Sequence, residues 1–159
     1  MHIRGECGFG DARVDAACGI GFTITTKAPA MVEVRPYLPF SWFYSNGAFT
    51  PFSHAESEGG VNLSAWLGST CIAAGCVNSV RLFRDRVSPS ELHQHTGDGS
   101  TSDLGIDFPL HPGDVVFVNL GAWVRCDSST PVPTGATSSG LGRMEARAQF
   151  VVVKRFVLG

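Results

Sequence analysis

The stretch Ala12-Arg13-Val14-Asp15-Ala16-Ala17-Cys18-Gly19-Ile20-Gly21-Phe22-Thr23-Ile24 carries an apolar residue or cysteine at every even position, with Arg13, Asp15 and Thr23 on the odd ones. A period of two held this long marks an extended strand with one face against a core and the other in water. A helix would bring its apolar positions back every three or four residues, which this stretch does not do.

The rhythm recurs outward from there. Ala55, Ser57, Gly59, Val61, Leu63, Ala65 and Leu67 share one parity, against Glu56, Glu58, Asn62 and Ser64 on the other. Val116, Val118, Leu120, Ala122, Val124 and Cys126 form a third run. Near the C-terminus Met144, Ala146, Ala148, Phe150 and Val152 oppose Arg143, Glu145, Arg147 and Gln149, and the tail to Leu158 has the valine and aromatic content of a well-covered strand. The similar first and last long strands are expected to be neighbours in one sheet. Shorter strands are expected over residues 31–35, 77–86 and, at an edge, 104–108. Ser88-Pro89-Ser90-Glu91 has the form of a capping box, which allows at most one short helical turn near residues 88–95. Gly, Pro, Ser, Thr and Asn predict loops at 46–53, 96–103 and 127–142.

Strands this long, with no helix to cover them, must bury their apolar faces on one another. The expectation is an all-β, single-domain antiparallel β-sandwich over residues 1–159, jelly-roll-like, with a closed barrel as the alternative.

A chain of 159 residues fits one domain of ordinary size. With 12 basic and 14 acidic residues the net charge of -2 offers no field for a polyanion, which argues against a nucleic-acid partner. No apolar run approaches the roughly 20 residues of a membrane span, and MHIRGECGFG has neither the basic nor the apolar region of a signal peptide; it reads like mid-domain sequence, as in a trimmed form of something longer. Charged residues at 16%, 19 glycines and many hydroxyl side chains suggest a secreted or extracellular setting. There a disulfide would persist, and Cys71 and Cys76, four residues apart in between, are the expected pair. Five cysteines, Cys7, Cys18, Cys71, Cys76 and Cys126, leave one over, and Cys18 and Cys126 read as small buried hydrophobes. No zinc-ribbon spacing is present.

Trp66 and Trp123 fall on the polar parity of their strands, so they are expected either to project as stacking surfaces or to lie beneath a loop. The aromatic stretch from Pro36 to Phe49 could supply that loop, belong to the core, or form a projecting ridge with Tyr37, Trp42 and Tyr44 as contacts and Asn46 as a polar anchor. The ligand-binding candidates are therefore Trp66, Trp123, Tyr37, Trp42, Tyr44 and Asn46. Glu56 and Glu58 share a strand face, but spacing alone does not make a glycosidase pair.

His93-Gln94-His95 in an extended strand would put two imidazoles on one face, able to share a metal. Asp98 and Asp103 follow on a Gly/Ser-rich segment whose oxygens could hold Ca2+. Together with Pro112-Gly113-Asp114 leading into a strand, the paired histidines resemble the cupin pattern over about a fifth of the chain. That resemblance implies a metal-dependent enzyme. This sequence departs from it where Gly121-Ala122-Trp123 replaces the third histidine and no glutamate follows His95 at the family's distance. No G-x-S-x-G elbow, phosphate loop or Ser/His/Asp set is present. The expected function is a non-catalytic binding or structural module that engages a carbohydrate or a protein and needs no cofactor. The alternatives are a cupin-like enzyme using His93 and His95, and a self-assembling subunit.

Overall fold

The computed structural model describes residues 1–8, 11–72, 77–130 and 138–157. Eleven strands follow in order: β1 (His2–Gly8), β2 (Ala12–Ile24), β3 (Ala30–Ala48), β4 (His54–Leu67), β5 (Thr70–Cys71), β6 (Val77–Val87), β7 (Glu91–Thr101), β8 (Ile106–Leu110), β9 (Val116–Ser129), β10 (Ser138–Ala146) and β11 (Phe150–Val157). No helix occurs among the described residues, and so none long and apolar enough to cross a membrane.

All pairings are antiparallel. One sheet has the order β1, β10, β3, with β11 continuing beside β3 after β10 and with β7 and β8 on its far side; the other has the order β2, β9, β4, with β5 and β6 beyond β4. Treating β7–β8 and β10–β11 as interrupted strands, and β5 as an extension of the β6 edge, leaves two four-stranded sheets. The chain crosses between them at almost every step. This is the jelly-roll arrangement of a β-sandwich.

The core lies between the inner faces, where Leu38, Leu63, Leu104, Phe108, Leu110, Leu120 and Met144 have no exposed surface. The alternation in β4 and β9 points the expected residues inward, except for Leu67, which is exposed at the end of β4. In β2 the parity also holds, but its apolar side chains are only half-buried and Ile20 is exposed, because β2 is an edge bonded to β9 alone among the described residues. It also lies in the other sheet from β10 and β11, so the expected pairing of first and last long strands does not occur.

β3 corrects several expectations at once. Residues 36–48 are a continuous inner strand rather than a covering loop or a projecting ridge, and the turn begins only after Ala48, with Phe52 at φ 67°. Pro36 and Pro39 sit within this strand, where each removes one ladder donor. Alternate residues of a strand face opposite neighbours, so the two losses fall on opposite sides. The N–H groups of Arg147 and Gln149 donate to the carbonyls of Pro39 and Tyr37, which puts the Pro39 gap toward β10–β11 and the Pro36 gap toward β7–β8. Both neighbours break there.

On the first side the register passes from Ala146 opposite Phe40 to Phe150 opposite Tyr37, four residues against three. The extra residue reverses the parity. Met144 and Ala146 point inward as expected. Beyond the break Val151 and Val153 take the inner face, while Phe150 and Val152 turn outward, and the expected well-covered strand is an exposed edge.

The expected helical turn is a β-turn. Pro89 and Ser90 occupy its centre, Ser90 has φ 71°, and the Glu91 N–H donates to the Ser88 carbonyl. The capping-box contact is nonetheless made, because the Ser88 N–H donates to the Glu91 carboxylate at 2.7 Å. β7 starts at once and runs through the region expected as a loop. The expected Cys71–Cys76 bond involves residue 76, which lies outside the described residues, as do residues 131–137 of the expected long loop. Cys7, Cys18 and Cys126 are free thiols.

Large rings lie across the strand from glycines. Trp42 is opposite Gly97, Phe83 opposite Gly59 and Trp123 opposite Gly60. A Cβ on Gly97 would come within 2.4 Å of the Trp42 ring, and one on Gly59 within 2.4 Å of Phe83. Gly60 is tighter still against backbone, since its Cβ would lie 2.3 Å from the Val80 carbonyl oxygen. The Gly60→Ala variant is expected to lose about 1–3 kcal/mol in urea denaturation. Gly8→Ala, whose Cβ meets only ordinary contacts at 3.7 Å, is expected to stay within about 0.5 kcal/mol of the parent.

Candidate functional site

The inner face of β7 carries His93, His95, Gly97 and Gly99, opposite Asn46, Tyr44, Trp42 and Phe40 of β3. With only glycines and imidazoles on that edge, the rings of β3 are left to meet Phe83 of β6 directly. Trp42 stacks on Tyr44 with centroids 5.7 Å apart and planes 5° apart, and on Phe83 at 5.2 Å. His95 leans on both Trp42 and Tyr44. Trp42 and Tyr44 thus belong to the partly open inner margin of the sandwich and not to an outer ridge. Tyr37 alone of that group faces outward, where it stacks on Phe150 at 5.2 Å.

Behind the rings runs a line of polar side chains. His93 Nδ1 lies 3.0 Å from Asp85 Oδ1, Asn46 Nδ2 donates to Asp85 Oδ2 at 2.8 Å, and Ser57 Oγ donates to Asn46 Oδ1 at 2.6 Å. Ser57 is also 3.6 Å from Cys126 Sγ. Asn46 and Ser57 have no exposed surface, so each requires these bonds. Asn46 is therefore an internal tie between β3, β4 and β6, not a surface anchor. Burial raises the Tyr44 hydroxyl above its usual range, and the nearby Asp85 carboxylate adds to the effect.

The order of groups matters chemically. Asp85 and Asn46 stand between His93 and Ser57, so the imidazole cannot take the serine proton, and Ser57 spends its hydrogen on an amide oxygen. The line holds two sheets together without pairing a nucleophile with a base.

The proposed metal candidates disperse. His93 and His95 do share a strand face, but the first is bound to Asp85 and the second lies against rings. Asp98, opposite Ser41, is on the other face of β7. Asp103 lies past the end of β7, its N–H donating to Thr101 Oγ1. Among the described residues no three His, Cys, Asp or Glu groups are placed to hold a metal ion. The cupin-like reading loses its remaining support at Pro112-Gly113-Asp114. This turn, with Gly113 at φ 94°, leads into β9 of the opposite sheet, whose inner face presents Val118, Leu120 and Ala122. Asp98 instead borders an outer cleft of about 310 Å³ with Ser41, Arg143 and Glu145.

Trp66 and Trp123 lie on the outer face of the second sheet, as their parity implied. Both are half-buried. Trp66 is opposite Phe117 and donates its indole N–H to Ser64 Oγ at 2.9 Å; Trp123 lies over Gly60. Six residues of β9 separate Phe117 from Trp123, so the two indoles are about 20 Å apart along the strands. Glu56 and Glu58 on this face are held by Arg84 at 2.7 Å and Arg125 at 2.9 Å, which ties up both acids.

Asp85, Ser57 and Phe83 went unnoticed in the sequence. Their signal was parity: Asp85 alternates with Phe83 and Val87, and Ser57 with Ala55 and Gly59, so each polar group sits on an inward position of its strand.

No family model matches the chain, and no curated protein matches it. Among solved structures it is similar to a chain of the infectious bursal disease virus Gx strain structure, at 8% identity and a TM-score of 0.22, covering 99% of this chain and 45% of that one. It is also similar to the D431N mutant VP2 protein of infectious bursal disease virus in derived T=1 particles, at 8% identity and a TM-score of 0.24, covering 92% of this chain and 40% of that one. The chain thus spans less than half the length of either. The jelly roll stands on the strand order alone.

The His93–Asp85 contact joins the two sheet edges β7 and β6. Its hydrogen bond with Asp85, with that carboxylate's charge, raises the His93 pKa above the ordinary value of about 6.5. A raised folded-state value means that the stabilisation is fully present below the unfolded value and is lost as pH rises through the folded one. The urea midpoint of the His93→Gln variant is therefore expected to fall furthest below the parent near pH 5.5 and to approach it by pH 8.5.

Proposed function

We propose that this chain is a non-catalytic structural β-sandwich module that works by associating with protein, in the first instance with further copies of itself. The observation that carries this reading is β11, Phe150-Val151-Val152-Val153-Lys154-Arg155-Phe156-Val157. Among the described residues it hydrogen-bonds to β3 alone, and it exposes apolar side chains on both faces: Phe150 is 56% exposed, Val153 45% and Phe156 55%. Three of the other sheet edges carry protection of the usual kinds. β6 has Arg81, Arg84 and Arg86, β8 has Pro109, and β7 is mostly polar. An edge strand that is apolar at six of its eight positions, with charge only at Lys154 and Arg155, and that is open on one side is a template for another strand. Met31, opposite Phe156, is exposed too, which widens the apolar margin.

The secreted or extracellular setting belongs to the same proposal and is supported by the low proportion of charged residues. The absence of a nucleophile–base pair in the polar line, and the ion pairing of Glu56 and Glu58, support a non-catalytic role. Carbohydrate binding is the second reading, favoured by the outward Trp66 and Trp123. Their spacing suits two separate stacking positions better than one.

Sedimentation velocity tests the first reading. The parent chain is expected to associate as concentration rises through the micromolar range. Val153→Lys, which puts a charge on the inner side of the edge, is expected to remain monomeric with an unchanged far-UV spectrum. A parent that stays monomeric up to about 1 mM would overturn self-association. For the second reading, a polysaccharide that quenches tryptophan fluorescence is expected to lose that effect in the Trp66→Ala variant.

A further inference from the structure

We infer that Cys7 and Cys126 form a reversible disulfide across the sandwich, a covalent link between β1 of one sheet and β9 of the other. Nothing in the association proposed above depends on it. Cys7 lies on the inner face of β1 at 4% exposure and Cys126 on the inner face of β9 with none. Cys126 Sγ donates to the Gly5 carbonyl at 3.2 Å, two residues along β1 from Cys7.

The surrounding backbone is built for this approach. Opposite the two sulfurs the first sheet carries Gly5 paired with Gly142 and Cys7 paired with Gly140. A Cβ on Gly5 would lie 3.4 Å from Cys126 Sγ, one on Gly142 3.3 Å from it, and one on Gly140 3.3 Å from Cys7 Sγ. Without those side chains, Cα atoms of β1 and β9 come within 8 Å, closer than the roughly 10 Å usual between packed sheets. Disulfides span Cα separations of about 4.4–6.8 Å, a range that an edge strand packed this closely reaches by shifting inward.

The contact with Cys126 draws the Cys7 thiol down to about 7, while the same contact and burial push Cys126 up. Cys7, on the edge strand β1, is the sulfur that a reagent meets first, and Cys126 on inner strand β9 is the resolving one. With a low-molecular-weight disulfide such as oxidised glutathione, the Cys7 thiolate forms a mixed disulfide and expels one glutathione thiolate. Cys126 then gives up its proton, attacks the Cys7 sulfur and expels the second. Two protein thiols lose two protons and two electrons, and one glutathione disulfide becomes two thiols. Access comes through β1, an edge that among the described residues pairs with β10 alone and can fray.

The full chain is equilibrated with oxidised or reduced glutathione at pH 8, its free thiols are blocked under denaturing conditions, and the peptides are mapped. The expected result is a peptide pair joining Cys7 to Cys126, two hydrogen masses lighter than the reduced forms. The melting temperature of the oxidised protein should be higher by about 5–15 °C, given a closed loop of more than a hundred residues. Both changes should reverse with dithiothreitol, and the Cys7→Ser variant should lose the temperature increment. Recovery of Cys7 and Cys126 both blocked as free thiols after oxidation, or in links to other cysteines only, would overturn the inference. The mapping uses the unaltered chain, so it stands even where Cys7→Ser fails to fold.

Discussion

Two ladder donors missing from the middle strand of one sheet shape much of what is distinctive in this molecule. Pro36 and Pro39 face opposite neighbours, and on each side the adjoining strand is cut in two and acquires one surplus residue. On the β7–β8 side the break coincides with residues 102–105, including the fully buried Leu104. On the β10–β11 side it reverses which side chains face the core. The exposed aromatic and valine residues of β11 are the result of that reversal. Restoring a donor at residue 39 would remove the cause of the break on that side.

The second organising feature is the match of ring to glycine across strands. A strand glycine costs backbone entropy, and an uncovered one leaves its ladder open to water. Trp42, Phe83 and Trp123 cover Gly97, Gly59 and Gly60, so the same contact shields the backbone and buries part of a large ring. At Gly140 the space goes to the Cys7 sulfur instead, and at Gly5 and Gly142 it is shared by Val124 and the Cys126 sulfur. Glycine is abundant here because the sheets are filled by large groups from neighbouring strands.

Much of the fold was legible from side-chain alternation. The bounds of β2 agree with the sequence reading, and β4 and β9 begin at or next to the expected residue, because each runs without a bulge against its β9 or β4 neighbour. The reading failed where one residue more or less decided the outcome. No local pattern announces that residues 147–149 hold a surplus, since that depends on prolines more than a hundred positions earlier. The Ser88–Glu91 contact was read correctly and its backbone wrongly, because the same carboxylate-to-amide bond can close a β-turn when Ser90 adopts positive φ. For the candidate site, the outward parity of Trp66 and Trp123 was visible. The Asp85–Asn46–Ser57 line was not legible, since these inward polar groups become partners only when β3, β4 and β6 are brought together across the sandwich.

The Met1 ammonium group donates to the Ala146 carbonyl at 2.7 Å, a contact between residues 145 positions apart. Together with the pairing of β1 along β10, it means that β1 has no ladder to join until β10 has been synthesised. Partners more than 130 residues apart in sequence must then find one another, and the closure of so long a loop makes the completion of this sheet slow by virtue of its topology.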